Sequence, residues 1–317
     1  TGRLTLLMTN EALETHVVRQ ADLLAAPRGD GARVLPDLER RFWQTTEPTA
    51  PVRATRADTS ILPLLAAFDQ HEYTSLTDSF DLAAREEIEL TFANPSEGSP
   101  ALALASRQSL LSTYLFYQML AHMGTHAGEF LARLERNDPS ARALSRSFGE
   151  RLGGIDVLVF DRSVNDWVRI ARVHETGPLA TDIRLIPLPR PTSDSIIVRL
   201  SMARGHWRID YAAIAGLLGQ CDPIRLQPAA VLRNRKPSPK DLAALLDSTR
   251  TVVTLPGDTV ALTYDLPASA AAYDYFLESR GYYLEWIREE WLVEENPMQA
   301  ARMLLNPEQA LRDLAPE

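Results

Sequence analysis

Apolar residues along this chain recur mostly at every second position. Ile88, Leu90 and Phe92 fall on one face of a run whose other face carries Glu87, Glu89 and Thr91, and Val260, Leu262 and Tyr264 repeat the arrangement. Period two is the mark of a half-buried strand. Similar runs cover residues 4–8, 155–160, 167–173, 183–188, 196–202 and 207–214, separated by Gly, Pro, Asp or Asn. Short strands at this spacing predict antiparallel, sandwich-like sheets. Helical patterns are inserted among them rather than alternating with them, which argues against a doubly wound parallel sheet. One long helix is predicted over 110–136, where Leu115, Met119, Met123, Phe130 and Leu134 keep three-to-four spacing. Others are predicted over 140–152, 237–246 (opening Ser238-Pro239), 282–293 and 297–314. Asn296-Pro297 and Asn306-Pro307 each read as a helix stop followed by a new start. The expected fold is mainly β with inserted helices (α+β) and a helical C-terminus.

The chain also repeats itself. EIELTFANPSEGSPALALASRQSLLSTYLF (87–116) parallels TVALTYDLPASAAAYDYFLESRGYYLEWI (259–287). Leu90-Thr91-Phe92 aligns with Leu262-Thr263-Tyr264, and Ser106-Arg107 aligns with Ser279-Arg280. Upstream, LLAAFD (64–69) matches LAALLD (242–247), and His16-Val17-Val18 lies where His206-Trp207-Arg208 lies. The expectation is two antiparallel β-sandwich-like repeats, residues 1–136 and 137–317, with 51–116 and 228–287 as the same β-helix-β unit. The first repeat has room for one strand before its histidine and the second for about four. The first sheet is therefore expected to be incomplete, through truncation or because something else completes it.

Two domains also suit a length of 317 residues. No run reaches the about 18 apolar residues of a membrane-spanning helix. A formal net charge of -9 excludes a general nucleic-acid binder, which needs a basic face to displace counterions. Arg225, Arg233, Arg235, Lys236 and Lys240 form one local basic stretch, read as a solvated loop. The single cysteine, Cys221, allows neither an internal disulfide nor a cysteine zinc site. The chain opens Thr1-Gly2-Arg3 and enters a strand-like run, as a trimmed product would.

Catalytic fingerprints are missing: there is no G-x-S-x-G, no P-loop and no G-x-G-x-x-G, so no cofactor is expected. His122 and His126 stand at i and i+4 of the predicted long helix, a spacing that sets two imidazoles on one face, with Glu129 as a third ligand. The residues between them are Met123, Gly124 and Thr125, without the Glu of a zincin motif. Arg107 and Arg280 are expected at equivalent strand ends, as an anion site in each half or as buried struts. Aromatics gather near the C-terminus. Tyr283, Trp286 and Trp291 keep helical spacing and form a core face, a docking surface or, if exposed side by side, a sugar-stacking platform.

GGIDVLVFD, HETGPLATDI, RGHWRIDYAAI, LPGDTVALTYDLP and FLESRGYYLEWIREEW resemble segments of large secreted or lipid-anchored bacterial proteins of unknown function with repeated β-sandwich modules. The LPGD piece with its L-x-Y-x-L-P continuation is also similar to terminal segments of tetratricopeptide-containing secreted bacterial proteins. The resemblance covers residues 100–317 and implies an extracytoplasmic setting and a galactose-binding-like or related sandwich. It supplies no catalytic residue, and no lipobox cysteine stands in these residues. The function expected is a non-enzymatic extracytoplasmic interaction or assembly module with a protein partner or self-association. The alternatives are a carbohydrate-binding protein and a metal-dependent hydrolase using His122 and His126.

Overall fold

The structure, a computed structural model, describes residues 2–174, 180–190, 193–268, 272–286 and 289–316, without the side chains of Ser147, Phe148, Glu290 and Trp291. In chain order come β1 (Arg3–Thr9), β2 (Glu14–Arg28), β3 (Ala32–Pro36), β4 (Phe42–Thr46), β5 (Arg53–Arg56) and β6 (Thr59–Ser60). A 3-10 turn at Leu62–Leu64 leads towards β7 (Arg85–Ala93) and β8 (Ser99–Gln108). Helices α1 (Leu110–Met123), α2 (Ala127–Glu135) and α3 (Pro139–Leu152) follow. Then come β9 (Ile155–Asp161), β10 (Asp166–Val173), β11 (Asp182–Pro187), β12 (Ser195–Ala203) and β13 (Trp207–Cys221). Next are β14 (Ile224–Leu226), β15 (Ala230–Arg233), β16 (Lys236–Pro237), α4 (Pro239–Leu245), β17 (Val252–Thr254), β18 (Thr259–Asp265) and β19 (Ala272–Glu285). Helices α5 (Glu289–Val293), α6 (Pro297–Leu305) and α7 (Pro307–Asp313) end the chain. The fold is mainly β, with antiparallel ladders.

Two compact units divide the chain, and not at residue 136. Residues 1–34, 42–44 and 219–286 form the smaller unit, and residues 35–41, 45–218 and 287–317 form the larger. The cause is long-range pairing: β1 pairs with β18, and β2 pairs with β19.

In the smaller unit one sheet runs β1–β18–β15–β16. Val231 lies opposite Leu262, Ala229 donates its N–H to the Thr263 carbonyl at 2.7 Å, and Ser238 donates to the Val231 carbonyl at 2.9 Å. A second sheet is built on β2, whose Ala21–Ala26 stretch is buried on both faces. That run, apolar except for Asp22, hides the alternation by which strands are read. β19 lines one side of β2, and β14 and β17 share the other. Leu23, Val231, Val252, Val260, Leu262 and Tyr264 make the core between the sheets.

The larger unit has two antiparallel sheets of its own. One sheet runs β10–β9–β12–β7–β5–β6. Ala54 lies opposite Leu90, Val52 donates to the Thr91 carbonyl at 2.8 Å, and Ile61 donates to the Ala54 carbonyl at 2.9 Å. In the other sheet β8 lies between β13 and β11. Leu90, Phe92, Leu102, Leu104, Val198, Trp207 and Ile214 form its core. A separate cluster holds the helices together, with Leu115, Leu120, Met303 and Leu311 buried.

Three local expectations are corrected. The helix predicted over 110–136 is broken: α1 stops at Met123, Gly124 takes φ 51°, and a 3-10 turn precedes α2. A Cβ at Gly124 would stand 2.5 Å from Glu295 Cγ, so the break leaves room for that side chain. The helix predicted over 282–293 begins only at Glu289, because Tyr282, Tyr283 and Leu284 stay in the β19 ladder opposite Val17, His16 and Thr15. Tyrosine favours the pleated surface over a helix. LAALLD supplies α4, whereas LLAAFD forms no α-helix and follows the 3-10 turn. The two proline restarts do occur, with Asn296 and Asn306 accepting from the N–H groups of Gln299 and Gln309.

Candidate functional site

Arg107 is placed by β8, one residue from the end of that strand and opposite Arg208 of β13. Its guanidinium grips Glu72 with two bonds, Nε to Oε1 at 2.5 Å and a terminal nitrogen to Oε2 at 2.6 Å. Arg208 and the Thr181 hydroxyl reach the same carboxylate at 3.4 Å each. The hydrogen bonds from Arg107 hold the Glu72 carboxyl below its usual range, against the opposing effect of burial. The reciprocal bonds raise Arg107. A fork so filled is a strut, and its donors face a carboxylate of its own fold. Nearby, Asp210 is the extra residue where the β8–β13 register shifts, and it is buried. Its Oδ1 accepts from the Gln70 N–H at 2.8 Å, and burial pushes its carboxyl up.

Arg280 differs. It sits inside β19 opposite Gln20, on the far side of a register shift from Gly281, so it does not occupy the strand position of Arg107. Its side chain is 65% exposed, with Glu278 at 3.6 Å. The expectation of two buried, equivalent arginines therefore holds for neither position nor burial. Glu278 is tied inward to Arg225, which also binds Asp22 at 2.6 Å.

Around Arg280 the β19 strand exposes Tyr275, Leu277, Tyr283 and Leu284, and Trp286 follows directly. Trp286 is fixed by its backbone N–H on the Leu13 carbonyl and by its indole Nε1 on the Thr15 hydroxyl at 2.9 Å. Tyr282 turns to the opposite face, where the Arg19 guanidinium lies 5.5 Å from its ring centre. The side chain of Trp291 lies outside the described residues. The spacing that linked Tyr283 to Trp286 is a strand and its exit, so these residues share an edge of a sheet rather than a helix face.

The break at Gly124 takes His122 and His126 off a common helix face. His122 ends α1 with its Nδ1 3.3 Å from the Glu294 carbonyl oxygen, and His126 precedes α2. Among the described residues no three His, Cys, Asp or Glu side chains converge in a way that could hold a metal ion. An open depression of about 590 Å³ in the larger unit is lined by Asn94, Gly98, Ser99, Pro100, Arg190 and Leu217, with Arg190 as its one charged group.

No protein-family model and no curated protein matches this sequence. No helix among the described residues is long and apolar enough to cross a membrane.

What sequence reasoning missed is β2, and with it the meaning of β19. The signal was present as the fifteen residues Glu14–Arg28, rich in Val, Leu and Ala. Their Ala21–Ala26 stretch, buried on both sides, does not alternate.

Proposed function

We propose that the chain is a non-enzymatic interaction or assembly module that works through the β19 side of its smaller unit, and that its two units are copies of one design with their opening hairpins exchanged. In this reading β1–β2 corresponds to β12–β13, β15–β16 to β5–β6, and β18–β19 to β7–β8. The matching bonds support it: Ser238 to Val231 beside Ile61 to Ala54, and Ala229 to Thr263 beside Val52 to Thr91. So do the matching irregularities, since β2 carries one extra residue at Arg19 and β13 one at Asp210.

The observation that carries the functional reading is a difference between the copies. In the larger unit β9 covers the outer edge of β12, and β11 covers the outer edge of β8. Their counterparts β1 and β19 pair on one side only among the described residues. Leu102 of β8, opposite Ile186 of β11, is 0% exposed, whereas Leu277, its counterpart on β19, is 52% exposed. An apolar, core-facing residue at an open sheet edge is a place where another strand adds. The extracytoplasmic setting implied by the resemblance belongs to the same proposal.

Affinity purification from the native source tests it, comparing the natural chain with Leu277→Lys and Tyr283→Ser. Loss of one defined set of associated chains or glycans in both variants, with unchanged melting, is expected. An identical set in all three would remove the β19 reading.

A further inference from the structure

Resting on the reading of β19 as an interaction edge, we infer that its occupant is a second copy of this chain, pairing β19 against β19 in antiparallel register about a two-fold axis at Ser279. Three observations lead there. First, the covered counterpart shows the direction: β11 adds to β8 antiparallel, from Asp182 opposite Ser106 to Pro187 opposite Ala101. Two identical strands related by a two-fold axis also meet antiparallel.

Second, β19 is long enough to serve both copies. It has 14 residues, and the irregularity in its pairing sits on β2, where Arg19 is the extra residue, so the alternation of β19 itself is unbroken.

Third, the charges distinguish among the registers centred on Glu278, Ser279 and Arg280. Side chains keep their faces across an antiparallel pair only when the two-fold axis passes through a residue. An axis at Glu278 sets that carboxylate against its own copy, and an axis at Arg280 does the same to the guanidinium; like charges directly opposite are destabilising. An axis at Ser279 places Glu278 opposite Arg280 of the partner subunit, twice. The same register sets Tyr275 opposite Tyr283 of the partner subunit and Leu277 opposite the partner's Gly281, whose missing side chain admits the leucine. Arg280 is the exposed member of its own pair, 3.6 Å from Glu278. Both tyrosines and Leu277 are among the exposed side chains of the strand. A core-facing row left open in one copy is closed by the same row from the other.

The test is the oligomeric state of the full chain by sedimentation velocity over a wide concentration range. The natural chain is expected to dimerise reversibly. Arg280→Glu and Glu278→Arg each oppose like charges twice and are expected to raise the dimer dissociation constant roughly tenfold or more. Mixing the two variants restores both charge pairs and is expected to recover a mixed dimer. Glu278 also holds Arg225, so Leu277→Lys, at an exposed position, is the second disrupting variant. A natural chain that stays monomeric throughout, or a dimer indifferent to all three substitutions, would overturn the inference. A monomer that still loses its native associates in Leu277→Lys would leave the interaction reading standing with a different occupant. A monomer whose associates are unaffected would sink both.

Discussion

Leu23 and Leu277 lie directly opposite one another in the β2–β19 ladder, yet Leu23 is 2% exposed and Leu277 is 52% exposed. Opposed residues in a sheet share a face, so Leu277 points to the side on which the smaller unit packs its core and is left half open there. In the larger unit Ile214 and Leu102 also lie opposite one another, and both are buried where β11 continues the sheet.

That contrast sets an expectation for stability. Leu102→Ala removes a fully buried side chain and is expected to cost about 2–5 kcal/mol. Leu277→Ala should cost less than about 1 kcal/mol, because most of what it removes already faces water. Urea denaturation read in an Arg280→Glu background, where association does not contribute, makes the comparison. Equal losses at the two positions would mean that the β19 edge is covered after all.

Many strands and most helix starts were legible in the sequence, for a local reason. Period-two alternation survives wherever one face of a strand meets water, as in β7 and β18, and Asn-Pro marks a helix restart whatever surrounds it. Long-range pairing left no such trace. Nothing in Glu14–Arg28 says that this segment seeks β19, some 250 residues later, rather than its neighbours. Two contiguous halves, as expected from the sequence, are therefore not the compact units of the structure. The tyrosines after Gly281 misled through spacing: a strand leaving its sheet at Trp286 mimics helical periodicity over so short a stretch. The role of Arg107 was half legible. Its fork chemistry was plain, but Glu72 stands 35 positions away in a segment without regular structure.

The Glu72–Arg107 pair should behave as a strut. Arg107→Ala leaves a nearly buried carboxylate with only the longer bonds from Arg208 and Thr181, and a loss of about 2 kcal/mol is expected. Because the carboxyl of Glu72 is held below its ordinary value in the folded chain, its contribution is present above the unfolded value and is lost as pH falls through the folded one. Arg107→Ala should therefore lower stability at neutral pH and lose its effect in strong acid. A melting temperature equal to that of the natural chain at pH 7 would instead make Arg107 an available anion ligand.

Gly281 leaves no room for a side chain against β2. A Cβ there would stand 2.4 Å from the Val17 carbonyl oxygen, at the register shift. Gly281→Ala is expected to force the strands apart locally and to cost about 1–3 kcal/mol. Hydrogen exchange should speed up from residue 281 to residue 285 while β18 is unaffected. Ser279→Ala, two positions away and exposed, is the control and should stay within about 0.5 kcal/mol.

His206 gives the fold a dependence on mild acid. It lies in the turn between β12 and β13, 2% exposed, and its carbonyl accepts the Ser109 N–H that opens α1. Burial pushes its imidazole down to about 4, against a hydrogen bond with the Leu82 backbone that pulls the other way. Its Nε2 has no hydrogen-bond partner among the described residues, so protonation would place an uncompensated charge in the interior. In the unfolded chain the same ring titrates near 6.5, so only the unfolded state takes up a proton between 6.5 and about 4. Stability from this group is therefore complete above pH 6.5, falls as pH drops through that window, and changes no further below it. The full loss is about 3 kcal/mol. His206→Gln removes the titration while keeping a polar side chain of similar reach. Its stability should be lower at pH 7 but nearly flat from pH 6.5 to 4, where the natural chain declines. Parallel pH slopes for the two proteins would show that the imidazole is not held neutral by burial, and that acid sensitivity in this window comes from elsewhere.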